Sequence, residues 1–413
     1  EKKIAITVCE DLWDFQPIES TFARNQLYRV TPMEKLMEHK PDFIVNIAAS
    51  PFSYTKIWGR KNVFIRNAKQ YKLPLFSVNQ VGAQTELIFD GGSLVVNPDG
   101  TIADELKCFS EDYKIFELNE IKNCSKTHQI NENPNVIAKM YDALVLGTRD
   151  YFRKMNFKTA TLGLSGGIDS AVALVIAERA LGAQNLRVLL LPSKYSSEHS
   201  INDAEKLARN LGIRYDTVNI QDVVGSFNKS LEPIFKDLPE DTTEENIQAR
   251  ARGTILMALS NKFGNILLNT SNKSEAAVGY GTLYGDMNGG LSVLGDVYKA
   301  DVYKLARYIN RKSEVIPENT IAKPPSAELK PDQKDSDSLP DYDILDKILF
   351  EYIELQKTLD EIIEEGYEQN LAEKIVKLVD SNEYKRYQAP PILRISSKAF
   401  GAGRRMPLVA KYH

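Results

Sequence analysis

Short apolar, β-branched runs alternate with helical stretches through the first part of the chain. The runs predict strands at 4–8, 43–47, 75–78, 93–96 and 114–118. The segment NPDG, from Asn97 to Gly100, predicts a hairpin turn. A helix is expected to begin at Pro32, because Thr31 and Glu34 have the spacing of a capping box around a proline at the first helical position.

A polar stretch without periodicity, residues 119–133, predicts a linker. Apolar residues then recur at three- and four-residue spacing, so a helix is expected to start at Pro134. Beyond it, strands are predicted at 161–164, 186–191, 215–220 and 265–268, with helices between them. This alternation is typical of an α/β fold with a doubly wound parallel sheet, whose ligand lies at the carboxyl ends of the strands.

Residues 317–340 are rich in proline, serine and charge and show no periodicity. Such a long stretch within a compact chain predicts a lid that becomes ordered when a nucleotide binds. Helices are predicted at 343–365 and 371–379. The basic end of the chain, GAGRRMPL, does not indicate a function.

Length, charge and cysteine content indicate how many domains to expect and in which compartment the protein works. A chain of 413 residues suggests two domains, and its formal net charge of -4 offers no global attraction to nucleic acid or to anionic lipid. Because no apolar run approaches the roughly 20 residues of a membrane helix, we expect no membrane span. Three scattered cysteines, Cys9, Cys108 and Cys124, favour a reducing compartment, so we expect a cytoplasmic protein.

The clearest chemical signal is the SGGIDS loop between a predicted strand and a predicted helix. Gly166 and Gly167 allow backbone N–H groups to close around an anion, and the helix start points its positive end at the same place. The hydroxyl groups of Ser165 and Ser170 add donors. A carboxylate here would repel a phosphate unless a cation lay between them, so Asp169 is predicted to bind Mg²⁺. A glycine-rich turn without a ligand is the alternative, but the strand–loop–helix context favours the phosphate site.

This loop lacks the lysine of a Walker A loop and resembles the pyrophosphate loop of the N-type ATP pyrophosphatases. Enzymes of that family cleave ATP between its α- and β-phosphates, adenylate a carbonyl oxygen and let a nitrogen nucleophile displace AMP. The resemblance implies that the loop holds the leaving pyrophosphate.

Other polar residues follow predicted strands or share a helix face. Asn246 and Arg250 are four residues apart, so an amide and a guanidinium can bind one ligand together, with solvated helix charges as the alternative. Thr270 and Glu275 come after a predicted strand, where ATP and a second metal ligand are expected. Lys194 either supplies charge for a phosphate or belongs to an ordinary polar loop, and the sequence favours neither.

The segments SGGIDS, ENIQARAR, NTSNKSE, KPPSAEL and YKR together resemble the NAD synthetase family, in its glutamine-dependent form. In that family the nicotinate carboxylate of deamido-NAD attacks the α-phosphorus of ATP, and ammonia then displaces AMP from the adenylate to give NAD. The resemblance implies ATP, deamido-NAD, Mg²⁺ and either glutamine or ammonia. It also implies an adenine nucleotide alpha hydrolase-like sheet and a homo-oligomer.

The same resemblance implies roles for individual residues. ATP is expected at Gly163, Leu164, Ser165, Gly166, Gly167, Ile168, Asp169, Ser170, Thr270, Lys299 and Ser326. Deamido-NAD is expected at Asn246, Arg250, Glu275 and Lys385. Asp169, as a catalytic residue, and Glu275 are the expected magnesium ligands. Ser326 stands where ammonia-dependent relatives often carry threonine, which keeps the hydroxyl group.

Near the start of the chain, CEDLWD, NIAASPFSYTK and NQVGAQTELIFDGGS resemble successive segments of the nitrilase family. Cys9 would then be the catalytic nucleophile that releases ammonia from glutamine through a thioester. Ser50 and Lys56 would bind that glutamine. Without the resemblance, Cys9 would be an ordinary buried thiol.

Together the resemblances imply part of a nitrilase-like amidase domain at 1–118, from an α/β sandwich, the linker at 119–133 and an NAD synthetase domain at 134–413. In the amidase family a glutamate base and an oxyanion lysine precede the cysteine, whereas only eight residues precede Cys9. We therefore expect the front half of the amidase domain to lie outside this sequence. On that basis residues 1–413 would use free ammonia but not glutamine.

Two other functions share part of the pattern. GMP synthetase-like and asparagine synthetase-like enzymes also carry SGGxDS, but their glutaminase cysteines lie at the mature N-terminus or in a glycine-flanked elbow, and Cys9 lies in neither setting. A non-catalytic nucleotide-binding module is the other alternative. Turnover of ATP to AMP in the presence of deamido-NAD distinguishes that module from an enzyme.

Overall fold

The computed structural model describes residues 1–13, 30–128, 135–236, 238–326, 328–330, 333, 335–337 and 339–410. The chain divides into two compact units, Glu1–Gly147 with Arg394–Ser397, and Thr148–Leu393 with Lys398–His413. The predicted helix start at Pro134 lies outside the described residues. None of the described helices is long and apolar enough to cross a membrane.

In its described residues, the first unit contains seven strands and three α-helices before helix α4. In chain order these elements are β1 (Ile4–Val8), α1 (Pro32–Met37), β2 (Phe43–Ala48), α2 (Ile57–Tyr71), β3 (Leu75–Asn79), β4 (Val81–Gln84), β5 (Leu87–Asp90), β6 (Leu94–Val96), β7 (Ile102–Glu105) and α3 (Leu118–Lys122). Helix α4 (Val136–Lys154) follows, and the division between the units falls within it.

The main sheet of this unit has the order β1-β2-β3-β6-β7, with β1 to β3 parallel and β6 and β7 antiparallel. Helices α1 and α2 pack on the sheet through buried side chains such as Met33, Ile44, Phe64 and Leu75. The predicted helix start at Pro32 is confirmed, although the Thr31 side chain makes no cap hydrogen bond. The predicted 97–100 hairpin turn is also confirmed, because it joins β6 to β7.

One strand prediction for this unit is wrong, and one segment predicted as a linker begins with a helix. The segment 114–118 is not a strand, because none of the described residues pairs with it in a sheet, and Ile115 is 77% exposed. The predicted linker 119–133 overlaps α3, where Ile121 is fully buried, so its first residues pack on this unit. Residues 129–133 of that linker lie outside the described part of the chain.

The second unit continues with five strands and eleven helices in the described residues. They are β8 (Ala160–Gly163), α5 (Ile168–Leu181), β9 (Leu186–Leu190), α6 (Glu198–Asn210), β10 (Arg214–Thr217), α7 (Gln221–Phe235), α8 (Thr242–Phe263), β11 (Ile266–Asn269), α9 (Lys273–Val278), β12 (Leu291–Ser292), α10 (Lys299–Ile309), α11 (Glu318–Ala322), α12 (Tyr342–Leu349), α13 (Leu359–Glu364), α14 (Gln369–Ser381) and α15 (Glu383–Arg386).

All five strands are parallel, in the order β10-β9-β8-β11-β12. This is the predicted doubly wound sheet. From β8 the chain continues to β9 and β10 on one side of the sheet and then crosses to β11 and β12 on the other side. A topological switch point therefore lies between β8 and β11. Loops that follow these two strands are where ligands bind in open α/β sheets.

The C-terminal predictions are only partly correct. The stretch 317–340 is not structureless, since α11 and a 3₁₀ turn at Asp335–Asp337 form and Leu339 packs in the core. The predicted helix 343–365 breaks after α12 into a π-helical turn, Phe350–Glu354, and then α13. The break has a local cause, because Thr358 and Glu361 form a capping box that starts a new helix.

Candidate active site

The SGGIDS loop links β8 to the first turn of α5. Ser165 and Ser170 hydroxyl oxygens lie 3.1 Å apart, and the backbone N–H of Gly167 donates to Ser165 Oγ at 3.2 Å. Gly167 is the N-cap of α5 and has no side chain to cap the helix. The first N–H groups of the helix are therefore available to an anion beside the loop.

Gly166 is required by the backbone at this position. Its φ is +78°, a conformation that favours glycine, and a Cβ added here would lie 2.2 Å from the carbonyl oxygen of Ser200 at the start of α6. Glycine therefore allows the loop to approach α6 closely. Any side chain would push the loop and α6 apart.

Two carboxylates from different loops meet at one ammonium. Lys299 Nζ, at the start of α10, lies 2.5 Å from Asp169 Oδ2 and 3.3 Å from Glu275 Oε1. Asn272, the N-cap of α9, donates to Asp169 Oδ1 at 2.9 Å and accepts from the backbone N–H of Glu275. The fold thus brings Asp169, after β8, and Glu275, after β11, to the same ammonium.

The charges in this cluster are strongly coupled. Burial raises the pKa of Glu275 to about 8, and although Lys299 opposes that shift, the Asp169 carboxylate adds to it. Burial disfavours the charged form of Lys299, but Asp169 and Glu275 together hold its pKa above the usual value. One ammonium therefore balances the nearer carboxylate, Asp169, and leaves Glu275 with a tendency to bind a proton.

A third carboxylate, Asp335, adds negative charge near the same lysine. Its side chain is buried and accepts hydrogen bonds from Tyr342 at 2.9 Å and Tyr280 at 3.4 Å. Burial raises the pKa of Asp335, whereas Lys299 and the Tyr342 hydroxyl oppose the shift. The local excess of carboxylates favours binding of a cation.

The donor chemistry fits Mg²⁺, which prefers hard oxygen ligands. Among the residues that the structure describes, no group of three or more histidine, cysteine or acidic side chains is arranged to hold a metal alone. Mg²⁺ in nucleotide sites is commonly bound by one or two carboxylates together with substrate phosphates and water. Asp169 and Glu275, beside the phosphate loop, match that shared mode of binding.

The cluster lies on the wall of a cavity of about 500 Å³, a volume typical of small-molecule sites. Most of the predicted site residues line it, namely Gly163, Leu164, Ser165, Gly167, Ile168, Asp169, Ser170, Asn246, Thr270, Glu275, Lys299, Ser326 and Lys385. Thus the structure brings residues from five separate sequence motifs to one cavity.

Three predicted residues are not among those that line the described cavity, and Gly166, between Ser165 and Gly167, is one of them. Arg250 is exposed, its Nε donates to the Leu283 carbonyl at 3.2 Å, and within the described chain it is not among the residues that line the cavity. Arg252, two positions on, does line the cavity and donates to the Leu191 carbonyl at 3.1 Å. Lys194 lies over the Tyr195 ring and is likewise absent from the described cavity wall.

The segment predicted as a lid contacts α6 near the phosphate loop. Lys323 Nζ donates to Ser200 Oγ at 2.9 Å, and Glu328 Oε1 accepts from the same hydroxyl at 2.6 Å. Ser326 Oγ donates to the Gln333 carbonyl at 2.6 Å. Within the segment, residues 327, 331, 332, 334 and 338 lie outside the described chain.

Sequence reasoning missed Asp286, which lies on the cavity wall. Its Oδ1 accepts from the backbone N–H of Thr282 at 2.6 Å, and burial raises its pKa to about 6 while Lys385 opposes the shift. Lys385 in turn donates to the carbonyls of Gly279 and Gly281 at 2.7 and 2.9 Å. A carboxylate within a glycine-rich stretch, YGDMNGG, was the available signal.

In the first unit, Cys9 directly follows β1 and has a φ of +49°, which is unusual for a residue other than glycine. Buried Asn46 on β2 donates to its carbonyl at 3.2 Å. Ser50 follows β2, and its N–H donates to Asn79 Oδ1 at 2.9 Å, while Lys56 is the N-cap of α2. Cys9 and Ser50 therefore lie at the carboxyl ends of neighbouring parallel strands, where a ligand can contact both.

Comparison with known proteins adds independent evidence. The NAD synthase family matches residues 140–389. The chain is 45% identical to glutamine-dependent NAD(+) synthetase from Synechocystis sp., over 100% of this chain and 73% of that protein. It is also 45% identical to the enzyme of the same name from Acinetobacter baylyi, over 98% of this chain and 73% of that protein.

A solved structure shows the same relationship. Glutamine-dependent NAD+ synthetase from Acinetobacter baumannii, in complex with adenosine diphosphate, is 41% identical and superposes with a TM-score of 0.70. The match covers 98% of this chain and 72% of that protein. The similarity therefore extends over both compact units.

Proposed function

This chain belongs to the family of glutamine-dependent NAD(+) synthetases, and we propose a specific assignment of its residues to that reaction. The reaction is the ATP-dependent amidation of deamido-NAD to NAD, with release of AMP and pyrophosphate. The observation that carries the assignment is the meeting of Asp169, Lys299 and Glu275 beside the SGGIDS loop.

The phosphate loop binds the triphosphate of ATP and keeps the leaving pyrophosphate. Backbone N–H groups at the start of α5 and the hydroxyls of Ser165 and Ser170 supply neutral donors, and Thr270 contacts ATP from the neighbouring loop. Asp169 and Glu275 hold Mg²⁺, which neutralises phosphate charge when it is bound. Lys299 supplies the charge that a Walker A lysine supplies elsewhere, because it is the ammonium nearest the loop carboxylate.

Deamido-NAD occupies the opposite part of the cavity. Asn246 and Lys385 bind it from the cavity wall, and Arg250 contacts it from the exposed face of α8. Its nicotinate carboxylate must lie near the α-phosphorus, since the carboxylate oxygen forms the new bond as pyrophosphate leaves. Ammonia then attacks the adenylated carbon and AMP departs with that oxygen. Ser326, with Lys323, covers the nucleotide as part of a lid.

In the intact protein the first unit contributes to the release of ammonia from glutamine. Cys9 attacks the side-chain amide of glutamine, and Ser50 and Lys56 hold the substrate. The positive φ of Cys9 supports this role, because strained backbone is common at nucleophiles.

We also propose a homo-oligomer and a cytoplasmic location. Helices α7 and α8 expose apolar side chains, Phe227, Ile234, Met257 and Phe263, which a second copy of the chain would cover. The cysteines Cys9, Cys108 and Cys124 are free, which suits a reducing compartment. Light scattering of the purified protein tests the oligomer, and a monomer at micromolar concentration would contradict it.

One comparison of substrates tests the proposed function. The enzyme is supplied with ATP, Mg²⁺ and ammonium, and with deamido-NAD, xanthylate or aspartate as acceptor. We expect amide formation and AMP release only with deamido-NAD. Amidation of xanthylate or aspartate would favour the GMP synthetase-like or asparagine synthetase-like alternative, and no turnover with any acceptor would favour a binding module.

A further inference from the structure

A fully buried lysine lies close in sequence to the cluster of Asp169, Glu275 and Lys299, but it is not part of the described cavity wall. Lys273 is the first residue of α9 and is 0% exposed. Its ammonium donates to Asp296 Oδ1 at 2.7 Å, to the Glu354 carboxylate and to the Lys398 carbonyl at 3.1 Å. The side chains of both acids are as buried as the lysine. Because desolvating such charges offsets much of their attraction, stability alone is a weak reason for this network.

Lys273 belongs to the segment that carries one side of the site. The preceding residue, Asn272, donates to Asp169, and Glu275 lies two positions after Lys273 and contacts Lys299. Helix α9 has six residues, and Lys273 lies between Asn272 and Glu275 at its start, so a shift of Lys273 moves both of these residues. The position of the start of α9 therefore sets the contact of Asn272 with Asp169 and that of Glu275 with Lys299.

Asp296 belongs to the segment that carries the other side. It lies in the turn between β12 and α10, three positions before Lys299, and is 1% exposed. The backbone N–H of Lys273 donates to the Val297 carbonyl in the same turn at 2.9 Å. The Lys299 N–H donates to Ser274 Oγ at 2.9 Å. The ion pair between Lys273 and Asp296 thus holds two segments together. One is the turn before Lys299, and the other is the helix that carries Glu275.

Glu354 makes a different connection. It ends the π-helical turn after α12, and its second oxygen accepts from the Lys398 N–H at 2.8 Å. Its ion pair with Lys273 therefore anchors the C-terminal segment, far along the chain from Lys299. The two acids bind one ammonium but connect it to different parts of the second unit.

We propose that Lys273, acting through Asp296, is a positioning residue that sets the spacing of Glu275 and Lys299 and so the affinity of the site for MgATP. The proposal rests on the proposed function, because it takes those two residues as ligands of Mg²⁺ and phosphate. Outer groups that orient metal ligands typically change metal affinity or activity by about 10- to 100-fold when they are mutated.

The two acids give a matched pair of variants. Asp296→Asn and Glu354→Gln each convert one buried carboxylate to its amide and leave the other carboxylate paired with Lys273. Only Asp296→Asn weakens the connection between the α9 start and the turn before Lys299. We expect Asp296→Asn to weaken MgATP binding by about tenfold, measured by titration calorimetry, with a similar rise in KM for ATP. Glu354→Gln should change that affinity less than about twofold.

Several controls make the result decisive. The KM for deamido-NAD should change less than the KM for ATP in Asp296→Asn, which a general loss of folding would not produce. Equal losses of MgATP affinity in both variants, at equal unfolding temperatures, would overturn the proposal and leave only a structural network. Asp169→Ala is included in the same titrations. If Asp169→Ala binds MgATP normally, the proposed site itself is wrong, whereas normal binding by Asp296→Asn alone refutes only the positioning role.

A charge-free variant covers the case in which Asp296→Asn does not fold. The triple variant Lys273→Met, Asp296→Asn, Glu354→Gln removes the formal charges of these three side chains, and such replacements of buried ion pairs are often tolerated. We expect it to fold and to bind MgATP about tenfold more weakly than the unchanged protein. Unchanged affinity in this variant would overturn the proposal.

Discussion

The ammonium of Lys299 lies 2.5 Å from Oδ2 of Asp169, although the two residues are 130 positions apart. Asp169 follows β8 and Lys299 begins the helix after β12, so the contact depends on the parallel sheet that aligns both strand ends. The loop carboxylate is balanced by this ammonium within the protein. On the proposed assignment, Mg²⁺ would take over that balance beside a bound phosphate, and the ammonium would then be free to contact the phosphate.

Replacing Asp169 should abolish chemistry without unfolding the protein. We expect Asp169→Ala to lower AMP formation at least about 100-fold, because the proposed metal ligand is lost from a partly exposed loop and little core packing is removed. Circular dichroism checks the fold. Asp301→Asn on α10 is the matched control, since Asp301 pairs with Lys304 outside the cavity wall. Turnover close to normal in Asp169→Ala at saturating Mg²⁺ would refute the metal assignment.

Replacing Lys299 should leave its two acids facing each other. We expect Lys299→Met to lower the turnover number by about 10²–10³, because a group that neutralises phosphate charge is lost. We also expect Mg²⁺ alone to raise the unfolding temperature more in this variant than in the unchanged protein, since the cation then relieves the repulsion between Asp169 and Glu275. Lys304→Met, which removes a more exposed lysine from the same helix, should show neither effect. A Mg²⁺ response no larger than normal would contradict the account of the cluster.

Gly166 offers a test of the loop geometry. Gly166→Ala should destabilise the protein by more than about 1 kcal/mol and weaken ATP binding, because the new Cβ would overlap the Ser200 carbonyl in a backbone conformation that favours glycine. Gly225→Ala is the control, since Gly225 lies within α7 with open space around it and alanine favours helix. Denaturant unfolding and nucleotide titration measure both variants. Equal behaviour of the two would show that the loop is not constrained as described.

Asp286 should make stability depend on pH. Because burial raises its pKa from 3.8 to about 6, the folded protein binds this proton more tightly than the unfolded chain does. The stabilisation is fully present below about pH 4 and is lost as the pH rises through about 6. The free energy of unfolding of Asp286→Asn, minus that of the unchanged protein, should therefore rise by up to about 3 kcal/mol between these pH values. A flat or falling difference for Asp286→Asn would contradict the shift.

Local signals in the sequence predicted much of the site. The SGGIDS loop and the strand before Thr270 were both predicted from short patterns, because glycine conformation and apolar runs act over a few residues. Parallel pairing then brought the loops after β8 and β11 to one edge, as a doubly wound sheet requires. The proximity of Asp169 and Glu275 therefore follows from local sequence patterns and the order of a doubly wound sheet.

The sequence did not predict contacts made between distant segments. Asp335 lies in a stretch without periodicity, and its partner Tyr280 is 55 positions away. Lys273 sits inside a recognised motif, yet its partner Glu354 is 81 positions away in a helical turn that no pattern distinguished. The false strand at 114–118 has the same origin, because alternation alone does not reveal whether a neighbouring strand exists to pair with it.

The central claim is that the nicotinate carboxylate is adenylated in the cavity beside the SGGIDS loop. Deamido-NAD labelled with ¹⁸O in that carboxylate tests it directly, with ATP, Mg²⁺ and ammonium as the other reactants and mass spectrometry of the products. The carboxylate oxygen that attacks the α-phosphorus leaves with AMP, so we predict one ¹⁸O atom in each AMP formed with NAD, and none in pyrophosphate. Label in inorganic phosphate together with ADP formation would show attack at the γ-phosphorus and would contradict the account.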